Sequence, residues 1–184
     1  LPASPQSPYY SEKLAKQYAY DPEKYQQLVT EANGAGKDLT LLVNSADSRR
    51  IRVAHRIAEM LSEGGLRITV KALRDNSYTN ALTKGNYDLH LGQTKLSSNM
   101  DLTPFFAPGG NLNFGSLSDA GIYSLCQEAL ANMGNYYTLH QKVMQSGMLI
   151  PILFRSYAIY TQRGLVPELN PAKDYVFYYE VIKN

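Results

Sequence analysis

The groups best suited to chemistry in this chain are three histidines, one cysteine and a few aspartates at element boundaries, and their spacing decides what they can do. His55, His90 and His140 are scattered, and none has a second metal ligand at i+3 or i+4 in a matching setting, the separation that puts two ligands on one helix face. They are expected to pack and hydrogen-bond, with no metal site and no cofactor. Cys126 falls inside an apolar helical stripe, where a thiol behaves as a small hydrophobe rather than a nucleophile. A single cysteine also excludes an internal disulfide.

Phosphate chemistry finds no cradle. Gly34-Ala35-Gly36-Lys37 precedes a strand instead of following one, and Gly109-Gly110 has neither a basic partner nor a helix directly after it, so both lack the strand-turn-helix context. No Gly-x-Ser-x-Gly elbow occurs. Asp47, Asp75 and Asp101 lie near strand ends and are compatible with acid-base work if they converge, although helix capping accounts for Asp47 and a turn for Asp75. The richest set of hydrogen-bonding groups is the run after Gly92, with Gln93, Thr94, Lys95, Asn99 and Asp101. It forms a rim without a reacting group, which favours binding over catalysis.

The elements that must position this rim are readable from periodicity. LTLLV (39–43) reads as a strand. Ile51, Ala54, Ala58 and Leu61 give residues 48–63 a helical face, stopped by Gly64-Gly65. LRITVKAL (66–73) is a second strand, 77–83 a short helix and 87–92 a third strand. This β-α-β-α-β order with short joints requires parallel pairing, so all three strands end on one edge. In open α/β sheets the ligand crevice lies outside that edge. The residues expected there are Asn44 to Ser48, with Arg49 and Arg50 opening the next helix; Arg74 to Tyr78; and the run from Gly92 to Asp101.

Around this centre, the first ten residues, with three prolines, are expected to run extended over a surface. Asp21 caps a helix that has Pro22 at its first position and Leu28, Val29 and Ala32 on its apolar side. Residues 104–115 read as a glycine- and asparagine-rich loop. Ser118 or Asp119 caps a helix striped by Ile122, Leu125, Cys126, Ala129, Leu130 and Met133. A further helix covers 136–146, and strands are expected over 151–161 and 175–182.

Composition narrows the function classes. With 44% hydrophobic and 18% charged residues the chain is globular, and its 18 basic against 16 acidic residues, net +2, contain no like-charge block. No nucleic-acid footprint is present. No apolar run approaches the roughly 20 residues that cross a bilayer. The chain does not begin with Met and reads as a processed product or an excised piece. Fifteen tyrosines with no tryptophan suit both cores and wet binding surfaces.

The order NSADSRRIRVAHRIAEMLSEGGLRITVKAL, a short helix, GNYDLHLGQ, two helices and IPILFRSYAIYT resembles the extracellular solute-binding proteins, family 5, that feed peptides to ABC importers, and more narrowly their carboxyl-terminal lobe. PYYSEKLAKQYAYDPEKYQQLVTEAN resembles the family's entry into that lobe. The resemblance implies one α/β lobe of a two-lobed periplasmic-binding-protein-like fold: 1–36 as lead-in, 37–184 as the lobe, and a partner lobe upstream of residue 1. It also implies hinge closure on a short peptide or similar small solute, a membrane permease as partner, and an extracytoplasmic location as a lipoprotein or in the periplasm. By position, Gly92, Gln93 and Thr94 would offer main-chain groups to the ligand as an added strand does, with Lys95, Asn99, Asp101, Arg49 and Tyr78 around it.

Two departures bear on the ligand. Many members have tryptophan where this chain has Gln93, and Lys95-Leu96-Ser97 stands where they place an aspartate that pairs with a peptide amine. Either Asp101 replaces that charge or the ligand is not a free-amine peptide. A binding protein rather than an enzyme is expected; the alternatives are a hydrolase using Asp101 with Asp75 or Lys95, and a cytosolic ligand-sensing regulatory domain. A lone lobe is expected to expose an apolar patch, a ready dimer contact.

Overall fold

The computed structural model describes residues 1–97, 99–115 and 119–155. The expected strand over 175–182 and most of that over 151–161 lie outside them; residues 151–155 have no regular structure. The chain divides into two compact units. A sheet unit comprises Gln17–Thr94 and the described residues from Pro104 to Gly115. A helical unit comprises Leu1–Lys16, the described residues of Lys95–Thr103, and those from Asp119 onward.

In the sheet unit, α2 (Pro22–Glu31) begins where Asp21 accepts a hydrogen bond from the Lys24 amide at 2.9 Å and Pro22 supplies its fixed φ. Three parallel strands follow: β1 (Asp38–Asn44), β2 (Arg67–Leu73) and β3 (Leu89–Leu91), in the order β2-β1-β3. Between them run α3 (Ser48–Glu63) and α4 (Asp75–Lys84). The central strand carries the longest apolar run because it is covered on both sides. Leu41 and Val43 pack with Ala54 of α3, and Leu89 and Leu91 join them; Leu42 packs with Ala81 and Leu82 of α4. The two crossover helices therefore lie on opposite faces, as right-handed connections to opposite sides of β1 require. At the far end of α3 the Tyr25 ring lies against Gly64, and its hydroxyl donates to the Leu61 carbonyl at 2.6 Å.

The helical unit is built on α6 (Ala120–Ala131) and α7 (Tyr136–Ser146), joined by a 3-10 turn at Met133–Asn135. Asp119 caps α6 by accepting from the Ile122 amide at 3.0 Å. Ile122, Cys126 and Ala129 are buried as the stripe predicts, but Leu130 and Met133, expected on the same stripe, are 42% and 59% exposed. The helix ends at Ala131 and its apolar face is narrower than the spacing suggests. In the sheet unit Leu28, expected on the apolar side of α2, is likewise exposed, while Val29 is buried.

Two local expectations are corrected. The first ten residues do not run extended over a surface: the Ser7 amide donates to the Ser4 carbonyl at 2.8 Å, and Pro2 and Ala3 are buried, ahead of α1 (Glu12–Gln17) with its buried Leu14. The loop expected over 104–115 is interrupted by α5 (Thr103–Phe106), which buries Phe106. Beyond α7 the side chains of Met148, Ile150, Ile152, Leu153 and Phe154 are exposed.

Candidate functional site

The carboxyl ends of the strands meet as the parallel order demands. Asn44 of β1 is opposite Leu73 of β2, and Val43 is opposite Leu91 of β3. β1 and β3 are neighbours reached by chains leaving in opposite directions, so the switch point of this sheet opens between Asn44 and Gly92.

After β1 the chain turns immediately. Ser45 still pairs with β2, its amide donating to the Leu73 carbonyl at 2.8 Å, and the Asn44 side chain accepts from the Ala46 amide at 2.8 Å. Asp47 then caps α3, accepting from the Arg49 amide at 2.8 Å, with the Arg50 guanidinium at 3.5 Å. The Arg49 amide, followed by desolvation that works against it and then by Arg50, leaves the Asp47 carboxyl below the usual carboxylate range. The capping role foreseen for Asp47 is thus its observed one. The Arg49 side chain is exposed and makes no ion pair among the described residues. Arg50 is half-buried, and its Nε has no hydrogen-bond partner among the described residues.

Tyr78 sits in the first turns of α4, half-buried against the cluster of Leu42, Ala81 and Leu82, on which Tyr87 and Phe114 also pack. Burial pushes its phenol up, opposed by the nearby positive charge of Arg50. Arg50 therefore lies near enough to Tyr78 for its charge to be felt there. Asp75 takes up backbone φ of +47° at the start of α4, which serves the turn foreseen for it.

β3 stops early. Asp88 accepts from the Thr40 amide at 2.7 Å and its own amide donates to the Thr40 carbonyl at 3.1 Å, and pairing runs only from Leu89 to Leu91. Gly92, Gln93 and Thr94 are exposed and, among the described residues, form no main-chain hydrogen bond. Beneath them His90 points away from the α3 face. Its Nε2 is 3.1 Å from where a Cβ on Gly92 would stand, and its ring meets Tyr87 and Phe114 edge-on at 5.5 Å and 6.0 Å. Burial lowers the His90 pKa, favouring the neutral ring.

The remaining predicted site residues belong to the helical unit. Lys95 is exposed there, the Asn99 carbonyl accepts the Tyr136 hydroxyl, and Asp101 accepts from the Thr103 amide at 2.7 Å. Asp101 is also close enough to Cys126 and Tyr136 to raise both pKa values, although burial is the larger cause in each case. The Cys126 thiol, pushed up to about 12, is inert as a nucleophile.

Sequence reasoning missed the ring cluster of Tyr87, His90 and Phe114. A sheet covered on both sides encloses positions of either parity along its strands. The usable local signal was Tyr87, three residues before His90; Phe114 lies 24 residues after His90. Among the described residues no group of three or more His, Cys, Asp or Glu side chains is placed to hold a metal ion. A hollow of about 260 Å³ lined by Tyr20, Tyr25, Met60 and Leu61 lies at the far end of α3, hence at the opposite edge of the sheet from Gly92.

The model of the bacterial extracellular solute-binding proteins, family 5 Middle, matches residues 1–113, well over half of the chain. The chain belongs to this family. No curated protein matches it. Among solved structures, the family 5 fold recurs in AgaA of A. tumefaciens R10, in complex with agropinic acid: TM-score 0.68, 17% identity, 82% of this chain and 33% of that one. The periplasmic oligopeptide-binding protein of Thermotoga maritima, with bound mannohexaose, gives TM-score 0.67 at 20% identity over 78% and 33%. The oligopeptide-binding protein AppA of Bacillus subtilis, in complex with a nonapeptide, gives 0.59 at 20% over 80% and 34%. At these identities the likeness establishes the fold, a mixed α/β architecture like that of periplasmic binding proteins. This family 5 chain spans about a third of the length of the structures it matches. No helix among its described residues is long and apolar enough to cross a membrane.

Proposed function

We propose that the chain is one lobe of an extracytoplasmic solute-binding protein that captures a short peptide or similar small solute for an ABC importer, without altering it chemically. The observation that carries this reading is the end of β3. Three consecutive residues, Gly92, Gln93 and Thr94, make no main-chain hydrogen bond among the described residues and lie beside the sheet's switch point, and an extended ligand backbone satisfies such a row as an added strand would. Glycine at the first of these positions leaves the backbone open to close approach.

In the sheet unit, Tyr78 and Arg49 are assigned to the ligand beside that row; Lys95, Asn99 and Asp101 are separate assignments within the helical unit. A second lobe of the same protein completes the cleft by hinge closure, and a permease in the membrane receives the solute. The exposed apolar side chains from Met148 to Phe154 are surface that such a neighbour would cover. A cell-surface lipoprotein or a periplasmic protein are the two locations that fit the family.

The hydrolase alternative is weakened by the commitments of its own residues: Asp101 is engaged by the Thr103 amide, and Asp75 opens α4. The deciding experiment is native mass spectrometry and calorimetry of the full-length protein against a library of tri- to pentapeptides. Saturable binding with unmodified peptide recovered supports capture. No peptide bound, or peptides cleaved, overturns it.

A further inference from the structure

The helical unit contains one side-chain contact that joins residues far apart in the chain. Tyr136, at the first position of α7, is only 3% exposed, yet its hydroxyl donates to the main-chain carbonyl of Asn99, 37 residues earlier in the chain. Its ring is held on two sides, stacked on Tyr9 at a centroid distance of 4.1 Å and met edge-on by His140 at 5.6 Å. A phenylalanine would fill the same space; only the hydroxyl reaches Asn99.

The acceptor belongs to a backbone that is under tension. Met100 has φ of +53°, a left-handed conformation that side chains with a Cβ avoid. Such a conformation persists only when its surroundings over-determine it. They do so here: the Met100 amide donates to the Ser97 carbonyl at 2.9 Å and the Asp101 amide to Ser97 Oγ at 3.1 Å. Ser97 Oγ in turn donates to Asn99 Oδ1 at 2.6 Å, and the Asp101 carboxylate accepts from Thr103. Leu102 anchors the far side at 1% exposure. All of these bonds are short-range within the segment; among the hydrogen bonds of the described residues, that of Tyr136 ties the segment to α7.

We propose that Tyr136 is a positioning residue for solute capture: through its hydroxyl it clamps the Asn99 carbonyl and so sets the direction in which Asn99 and Asp101 present their side chains to the solute. The clamp rests on the capture reading above for its purpose, and on the helical unit alone for its geometry. Burial, together with Tyr9, Asp101 and Cys126, pushes the Tyr136 phenol up to about 12, so it remains a donor throughout the physiological range. Tyr136 touches no solute in this scheme. It acts through the main chain of its acceptor.

The test is Tyr136→Phe in the full-length protein, read in two ways. Amide hydrogen exchange of Met100 and Asp101 is expected to accelerate about tenfold or more, as loss of one buried hydrogen bond predicts, while amides of α6 and α7 keep their protection. Affinity for the tri- to pentapeptide library is expected to fall about tenfold, with the same peptides preferred, and Tyr9→Phe, which keeps the stack and leaves the clamp intact, leaves both readouts unchanged. Unchanged exchange at Met100 and Asp101 overturns the clamp. Protection lost evenly across α6 and α7 also overturns it, because the hydroxyl then merely stabilises the unit. If the wild-type protein binds no peptide, the capture reading falls and takes the ligand half of the proposal with it, while exchange still decides whether the hydroxyl holds the segment.

Discussion

Leu41, Leu42, Val43, Ala54, Ala81, Leu82 and Phe106 fill the interior of the sheet unit, and none of them ionises; the corresponding positions of the helical unit include Tyr136, Cys126 and a completely buried His140. The fully buried side chains of the first are hydrocarbon, held by area removed from water, with the titratable rings of Tyr87 and His90 only half-buried beside them. The other contains polar atoms that water would otherwise solvate, and neither ring nitrogen of His140 has a hydrogen-bond partner of normal geometry among the described residues, although the Tyr9 backbone lies beside the ring. The contrast teaches that a scaffold which only has to hold strand ends together can be inert, whereas a unit that must tie a strained segment in place uses polar side chains and becomes sensitive to protonation.

The strongest challenge to the sheet side of this contrast is Leu42→Ala. Leu42 is fully buried between β1 and α4, and truncation is expected to cost about 4 kcal/mol in urea unfolding, equally at pH 5 and pH 7. A pH-dependent loss would break the contrast. Next comes acid. Burial lowers the His140 pKa from its ordinary 6.5 to about 4. The unfolded chain therefore takes up a proton that the folded one refuses, so stability is complete above the ordinary value and is lost as pH falls toward the folded one. The loss amounts to about 3 kcal/mol, and exchange protection in α6 and α7 should record it first. His140→Leu is expected to flatten this acid limb; an unchanged limb would remove His140 as its cause.

A smaller effect is expected at Gly64, where an added Cβ would stand 2.1 Å from the Tyr25 ring. Gly64→Ala must displace that ring and its bond to Leu61, at a cost of about 2 kcal/mol, and should do so without altering the pH profile. The smallest stability effect is expected for Arg49→Ala, within about 0.5 kcal/mol because the side chain is exposed. Calorimetry against the peptide library is expected to show a several-fold weaker fit. Unchanged binding would remove Arg49 from the proposed site in favour of Arg50.

Much of the scaffold was legible because its punctuation is local. Asp21-Pro22 and Asp47 mark the starts of α2 and α3, and Gly64-Gly65 the end of α3; the α3 boundaries at Ser48 and Glu63 match the expected ones. Parallel pairing followed from the short joints. The site was less legible. A polar run after Gly92 announces that the strand has ended, but nothing local says that Gly92, Gln93 and Thr94 stay with the sheet while Lys95, Asn99 and Asp101 join the unit of the later helices α6 and α7. Periodicity likewise gave the helix over 136–146 without showing that its His140 would be sealed from water. The Tyr136 contact with Asn99 is tertiary from end to end, and no window along the chain contains both partners.

The brevity of β3 has one more consequence. A row of unused backbone groups recruits other copies of a chain as readily as it recruits a solute, and long flat borders of this kind seed fibres. Three paired residues are too short a template, and the opposite border is patrolled by the exposed charges of Arg67 and Lys71. A chain with so short a strand can therefore leave backbone groups open without adhering to its siblings.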